Sequence, residues 1–488
     1  MSYLSFIFMG FVLLLGILYY IAQKKSLGWV VLLTGSVLFY CSFDLRFLFF
    51  LAFNVLSTYL CARKLIKTTK KKEIFVLCIL GNVGVWFGVK VLPWTISISS
   101  KVLNYLDIHI SWDISSIVVP IGISYFTLQS ISYLADVYSG KIQPEKNLAK
   151  YLLFITYFPA IVQGPISRYN ELMPQLLNTK PYCFETMRKG IILIMFGLVK
   201  KMVVADRLAI FVNACFEQYK DLSGVILYTG AICYSIQLYM DFSGCVDLCR
   251  GTSTLFNVEL PNNFNRPYLA TSIKEFWEKW HMSLSRWLKD YVYIPFGGNR
   301  KGTARKYLNL FITFLVSGLW HGAGFSFFVW GALHAIFQIV GQCTIELRQK
   351  IKTKMGISCG SVSEKIYQIL ITFNLVNFAW IFFRAPSLGI AIQYIFCMCS
   401  NPTYPTLRDG SFFELGVIEG YFIILLLHVI IFGIVELYTK NQDCAINIIT
   451  NQHIVIRWGI YLILIFDVIL FGVYGKGYDL SGFLYGGF

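Results

Sequence analysis

Apolar runs of about 20 residues, the length an α-helix needs to cross ~30 Å of hydrocarbon, recur along almost the whole chain with at most one charged residue each and leave it very few folds. They occupy 3–22, 28–42, 46–62, 74–93, 116–135, 222–240, 307–344, 366–383, 415–435 and 458–475, with shorter runs at 151–167 and 190–199. A segment in lipid must satisfy its own backbone hydrogen bonds, which runs of this length do as helices. The chain over 1–488 therefore reads as an all-α polytopic membrane protein, one multi-pass domain with about eleven transmembrane helices. No small-residue cleavage site follows the first run, so it is expected to stay as the first span.

Composition closes the other routes. With 56% hydrophobic, 17% aromatic and 14% charged residues, the chain carries far more apolar surface than a disordered segment, and its length excludes a small secreted disulfide scaffold. The 13 cysteines are scattered singly; Cys245/Cys249 and Cys397/Cys399 come closest and lack a Cys-x-x-Cys frame, so all are read as buried thiols. The formal charge of +16 would suggest nucleic acid in a soluble protein. Here the basic residues sit in short loops between apolar runs, where they set topology, and the bilayer is the partner. Lys24 and Lys25, then Arg63 to Lys72, mark cytoplasmic loops and put the N-terminus outside.

Two segments depart from simple spans. The 38-residue stretch from Tyr307 to Thr344 is too long for one crossing, and Gly318, Gly322 and Gly324 at its centre predict a break or hairpin facing a protein-enclosed cavity. Upstream, residues 272–290 fit an amphipathic cytoplasmic helix lying along the membrane surface. Ile273, Phe276, Trp277, Trp280, Leu284, Trp287 and Leu288 share one stripe, Lys274, Glu275, Glu278, Lys279, Ser285, Arg286 and Lys289 face away, and Ser272 with Glu275 forms a capping box. Eight Lys/Arg against three acidic residues over 274–306 place it on the cytoplasmic side, so the next span runs outward.

Histidines carry the chemistry that remains. His321 lies 14 residues beyond Tyr307, roughly 21 Å into the hydrocarbon at ~1.5 Å per residue, and an ionisable ring at that depth marks a functional site unless it is a satisfied interhelical bond. His281 sits at the edge of the amphipathic stripe, as a site residue or an interfacial anchor. His334, about 220° further round a continuous helix, is expected to be structural; His428 is expected in the core or at a lipid interface; His109 and His453 are loop residues. Asp136 and Asp241 end apolar runs and are expected to cap or pair, with orienting a histidine or binding a cation as the functional alternative. No His-Glu-x-x-His, P-loop or Gly-x-Gly-x-x-Gly occurs, and a metal centre is not expected.

Several ordered motifs over 118–345 resemble the membrane-bound O-acyltransferase family. They are Ser124-Tyr-Phe126 to Asp136-Val-Tyr138; Phe158-Pro159 with Gln163-Gly-Pro165 and Arg168; Asp241-Phe-Ser-Gly244; Pro261-Asn-Asn-Phe-Asn-Arg-Pro267; Glu275-Phe-Trp-Glu-Lys-Trp-His281 with Ser283-Leu-Ser-Arg-Trp287; Tyr293-Ile-Pro-Phe-Gly-Gly-Asn-Arg300; and Gly318-Leu-Trp-His-Gly322. The Gly-Gly-Asn-Arg segment is more similar to the alginate O-acetylation branch (AlgI-like) than to the D-alanyl transfer branch (DltB-like).

That resemblance implies spanning, re-entrant and interfacial helices around a central tunnel, with His321 as the catalytic histidine and His281 as the second family histidine. It implies transfer of an acyl group, most simply acetyl, from a cytoplasmic thioester to a hydroxyl of an extracytoplasmic cell-envelope polysaccharide or partner protein. Trp320, Asn309, Ser317, Asp241, Gln237 and Trp277 are the candidate tunnel-lining residues, and Arg286, Lys289 and Arg300 the donor-side ones. No bound cofactor is expected; acetyl-coenzyme A or an acyl-carrier thioester is the donor substrate, and an acidic acyl carrier protein could dock on the basic 274–306 surface. The chain lacks a sizeable extracytoplasmic domain, which calls for a separate acyltransferase or polysaccharide-handling partner. D-alanyl transfer to teichoic acid is the alternative within the family, and a solute transporter or a recruiting scaffold the alternatives outside it.

Overall fold

The computed structural model describes residues 1–107, 118–178, 180–354, 356, 360–400, 413–416, 419–439 and 442–474; His109 lies outside the described residues. Among them every regular element is a helix, apart from one antiparallel bridge between Phe264 and Trp280. Among the described residues seven helices are long and apolar enough to cross a membrane: Phe6–Gln23, Phe47–Leu65, Lys71–Lys90, Phe325–Cys343, Val362–Arg384, Gly420–Tyr438 and Ile454–Phe471. Gly28–Cys41 and Leu388–Ser400 are shorter apolar helices. This is a multi-pass membrane protein, but the eleven expected crossings do not appear as eleven full-length helices. The 151–167 run folds as Leu148–Thr156, nine residues or about 14 Å, too short to cross.

The described chain divides into two compact units, one within residues 1–194 and 246–261, the other within 195–245 and 262–474. In the first, Tyr3 donates to the Phe158 carbonyl at 2.9 Å, and Phe8, Phe11 and Phe39 close round the Phe158 ring at 5.5–6.3 Å. Three of its helices are stitched by buried polar side chains: Asn54 Nδ2 donates to Asn82 Oδ1 at 2.8 Å, and Ser130 Oγ donates to Asn54 Oδ1 at 2.5 Å. Bonds of this kind between membrane helices contribute about 0.6 kcal/mol each.

The second unit contains the stretch that was too long for one span. It is a helical hairpin of Thr303–His321 and Phe325–Cys343, turning at the predicted glycines. Its arms touch backbone to backbone. A Cβ on Gly318 would lie 2.4 Å from the Phe327 carbonyl oxygen, and one on Gly331 would lie 2.4 Å from that of Phe314, so neither position accepts a side chain.

A charged cluster lies elsewhere in this unit. The backbone widens into a π-helix over Val199–Ala205, and Lys201 Nζ reaches Asp241 Oδ1 at 2.5 Å and Asp206 Oδ1 at 2.8 Å. Arg207 donates to the Phe471 carbonyl at 2.7 Å and lies over the Tyr421 ring. His428 is paired, its Nε2 2.6 Å from Asp467 Oδ2 and its Nδ1 2.7 Å from the Ile424 carbonyl, which links helices Glu419–Tyr438 and Ile454–Phe471. His453 caps the latter helix, accepting from Val455 N. All twelve cysteines among the described residues are free thiols. Cys183, Cys343 and Cys399 are exposed, which corrects the expectation that all are buried.

Candidate active site

Residues 272–290 do not form the continuous surface helix that their periodicity predicts. They fold as two short helices, Ile273–Lys279 and Met282–Leu288, followed by a π-helical turn over Lys289–Tyr293. The break comes from the Asn-rich motif before them. Asn265 N donates to the Lys279 carbonyl, Met282 N to the Asn263 carbonyl and Ser283 N to Asn263 Oδ1, each at 3.0 Å. These bonds take backbone groups away from an i to i−4 ladder, and His281 is left at φ 44°, ψ 54°, a left-handed conformation that only glycine, asparagine and aspartate adopt readily. Ser272 does cap the first helix, accepting from Glu275 N.

All seven residues of the apolar stripe are buried, but against protein rather than on a membrane surface. Trp277 packs on Phe314, Trp330 and His334 at 5.0–5.7 Å, while Phe276 and Trp280 close on Trp380. The broken helix thus docks its aromatic face on the hairpin and on helix Val362–Arg384.

Three histidines meet in this aromatic cluster. His321 is the last residue of the first hairpin arm and is buried. Its ring lies 4.8 Å from Trp320, 5.1 Å from Trp330, 5.3 Å from Phe383 and 6.5 Å from His281. His281 is fully buried, edge-on to Phe242 at 4.8 Å, and neither of its ring nitrogens has a hydrogen-bond partner among the described residues. Burial pushes it down to about 3, which keeps the imidazole neutral, with one donor and one acceptor to offer.

His334 is the third. The offset of about 220° from His321 holds only for a continuous helix, and the hairpin, which reverses the chain at 322–324, brings His334 back to the cluster. Its ring lies 5.0 Å from Trp330 and its Nδ1 accepts the Trp277 indole N–H at 3.3 Å. The signals for it were present: a break predicted at the glycines, and a histidine and tryptophan within four residues on the returning arm. Trp330 and Trp380, also fully buried here, carried no motif signal.

The other candidates separate by environment. Trp320 and Trp277 belong to the cluster. Gln237, Asn309 and Ser317 are buried, and Gln237 Oε1, Asn309 Oδ1 and Ser317 Oγ have no hydrogen-bond partner among the described residues. Asn309 Nδ2 donates to the Gly298 carbonyl at 3.0 Å, which pins the Gly-Gly-Asn-Arg loop to the base of the hairpin. Asp241 is held by Lys201, while its neighbour Phe242 meets His281. Arg286, Lys289 and Arg300 are exposed. Asp136 pairs with Lys141 at 3.4 Å.

A neutral, buried imidazole beside an enclosed aromatic wall can take a proton from a hydroxyl while limiting water around a reactive ester. The model for "MBOAT, membrane-bound O-acyltransferase family" matches residues 95–375. The chain is 33% identical over 398 residues to a peptidoglycan O-acetyltransferase of Helicobacter pylori, covering 75% of this chain and 72% of that one. It is 31% identical over 451 residues to a probable alginate O-acetylase AlgI of Pseudomonas aeruginosa, covering 91% and 84%. A teichoic acid D-alanyltransferase of Bacillus subtilis matches at 29% identity over 276 residues, 54% of this chain and 68% of that one.

Proposed function

Because the chain belongs to the membrane-bound O-acyltransferase family, we propose that it moves an acetyl group from a cytoplasmic thioester to a hydroxyl of a cell-envelope polysaccharide, with His321 as the general base. The support is the meeting of His281 and His321, forty residues apart in sequence, with ring centroids 6.5 Å apart inside a buried aromatic cluster. In the reaction, the His321 imidazole accepts the hydroxyl proton as the oxygen attacks the thioester carbonyl. The tetrahedral intermediate collapses with cleavage of the C–S bond, and the leaving thiolate takes the proton back from the imidazolium. A positioned base of this kind contributes about 10²–10⁴-fold.

The acetyl assignment rests on the 31–33% identity to the alginate and peptidoglycan O-acetylating relatives over most of the chain, against 29% over 54% of it for the D-alanyltransferase. The donor is acetyl-coenzyme A or an acyl-carrier thioester, the protein lies in the cytoplasmic membrane with its N-terminus outside, and a separate extracytoplasmic partner presents the polymer. His281 positions the donor or the proton path.

The test is transfer of radiolabel from acetyl-coenzyme A to polysaccharide, lipid or partner protein, comparing wild type with His321→Ala and His281→Asn at equal folded amounts. Loss of label with His321→Ala is expected. Full activity of that variant would remove the base assignment; label resting on the protein or a partner would turn direct transfer into a relay. A wild type that accepts only a D-alanyl carrier thioester would replace acetyl by D-alanyl.

A further inference from the structure

The hydrogen bond between Trp277 and His334 fixes more than a packing arrangement. An indole N–H can only donate, so His334 Nδ1, 3.3 Å away, must present its lone pair. A protonated ring would set N–H against N–H, and an isolated imidazolium in an aromatic core would carry a large desolvation cost. His334 is therefore neutral with its proton on Nε2, and Nε2–H is a donor. That atom is buried without a hydrogen-bond partner among the described residues, and so is the indole Nε1–H of Trp330.

These two donors share one face of helix Phe325–Cys343, one turn apart, with both side chains fully buried and ring centroids 5.0 Å apart. His321 lies against the same Trp330 ring at 5.1 Å. Two unpartnered N–H donors, that of Trp330 on the ring that lies against His321, fit an oxygen that gains negative charge. The geometry points to His334 Nε2–H and Trp330 Nε1–H as the hydrogen-bond donors to the acyl carbonyl oxygen of the thioester, an assignment that rests on the acyltransferase reading above. As the acceptor oxygen attacks, the C=O electron pair moves onto that oxygen. The two N–H groups hold the oxyanion until the C=O bond re-forms and the C–S bond breaks. Trp277 acts one step back, as a positioning residue that holds the His334 tautomer.

His334→Phe and Trp330→Phe each keep an aromatic ring and delete one donor. Removal of one donor to an oxyanion typically lowers kcat by about 10²–10³-fold. Each variant is expected to show a loss of that order with a nearly unchanged KM for the thioester, and His334→Gln, which restores an N–H, to recover part of it. A loss confined to KM, or full kcat in both phenylalanine variants at wild-type thermal stability, would overturn the assignment. Binding gives a second readout. With 15N-labelled tryptophan, the Trp330 indole signal, identified by its absence in Trp330→Phe, should move on addition of the ketone analogue of acetyl-coenzyme A and stay still with coenzyme A alone; no movement with bound analogue counts against the proposal. If wild type uses a D-alanyl carrier thioester instead, the acetyl reading fails while the same kcat comparison is made with that donor, whose carbonyl is equivalent. A wild type that uses neither thioester overturns both.

Discussion

Lys201 and His334 are both buried in the second unit, yet their polar atoms end differently. Lys201 Nζ lies between two carboxylates, at 2.5 and 2.8 Å, whereas His334 has one nitrogen bonded and the other buried with no partner among the described residues. The charged group is paired because an unpaired charge in such surroundings would not survive folding. The neutral ring can leave a donor unused at much smaller cost, of the order of 1–3 kcal/mol. The partnered cluster reads as structure, whereas the open donor of His334 is available to a ligand, as the proposal above requires.

The comparison is broken most severely by exchanging the roles. His321→Ala should lower acyl transfer by about 10²–10⁴-fold with the thermal unfolding midpoint unchanged; a large drop in that midpoint would make the ring structural. In the charged cluster the reverse is expected. Lys201→Met leaves two carboxylates facing each other in the core and should destabilise the protein by about 3–5 kcal/mol, read as thermal unfolding in detergent, and adding Asp206→Asn and Asp241→Asn should recover most of it. Unfolding unchanged by Lys201→Met would mean that the cluster is not structural.

Smaller effects sharpen the same contrast. Gly331→Ala forces a methyl group against the Phe314 carbonyl, as the 2.4 Å contact requires, and overpacking of this kind costs about 1–3 kcal/mol; activity should fall with it, because His321 and His334 sit on opposite arms of the hairpin. Ser272→Ala removes the helix cap and should cost about 1 kcal/mol with little change in kcat. Glu275, whose partial burial would raise it, is held down from 4.5 to about 2 by bonds from Lys279 and Thr271. A depressed carboxyl contributes its full stabilisation above its ordinary value and loses it as pH falls toward the lowered one. The stability gap between wild type and Glu275→Gln should therefore narrow between pH 5 and pH 2, which unfolding at several pH values would detect.

Much of this was legible in the sequence because membrane spans and a deep histidine are local signals. The all-helical class, the break at Gly318–Gly324, the set of apolar residues sharing a stripe over 273–288 and the Ser272 cap follow from periodicity, composition and local motif. What escaped depended on partners far along the chain. Nothing in the 3.6-residue pattern of 272–290 reveals that Asn263 and Asn265 bond to 279–283 and break the helix. The offset of about 220° for His334 does not survive the hairpin, because the returning arm runs back along the first and the direction of that return is set by packing and not by local spacing. The Lys201 bridge to Asp241 joins residues forty apart, and no spacing rule finds such a pair.

The left-handed backbone at His281 separates two demands that an alanine scan would merge. Alanine at this position removes the imidazole and also resists the conformation, so its effect mixes chemistry with misplacement of everything from Met282 onward. Asparagine tolerates the same backbone and lacks only the ring. Since one base change converts a histidine codon into an asparagine codon, natural drift has a direct route to a chain that keeps the junction and loses its imidazole, and retention of histidine through such drift would measure selection on the ring alone.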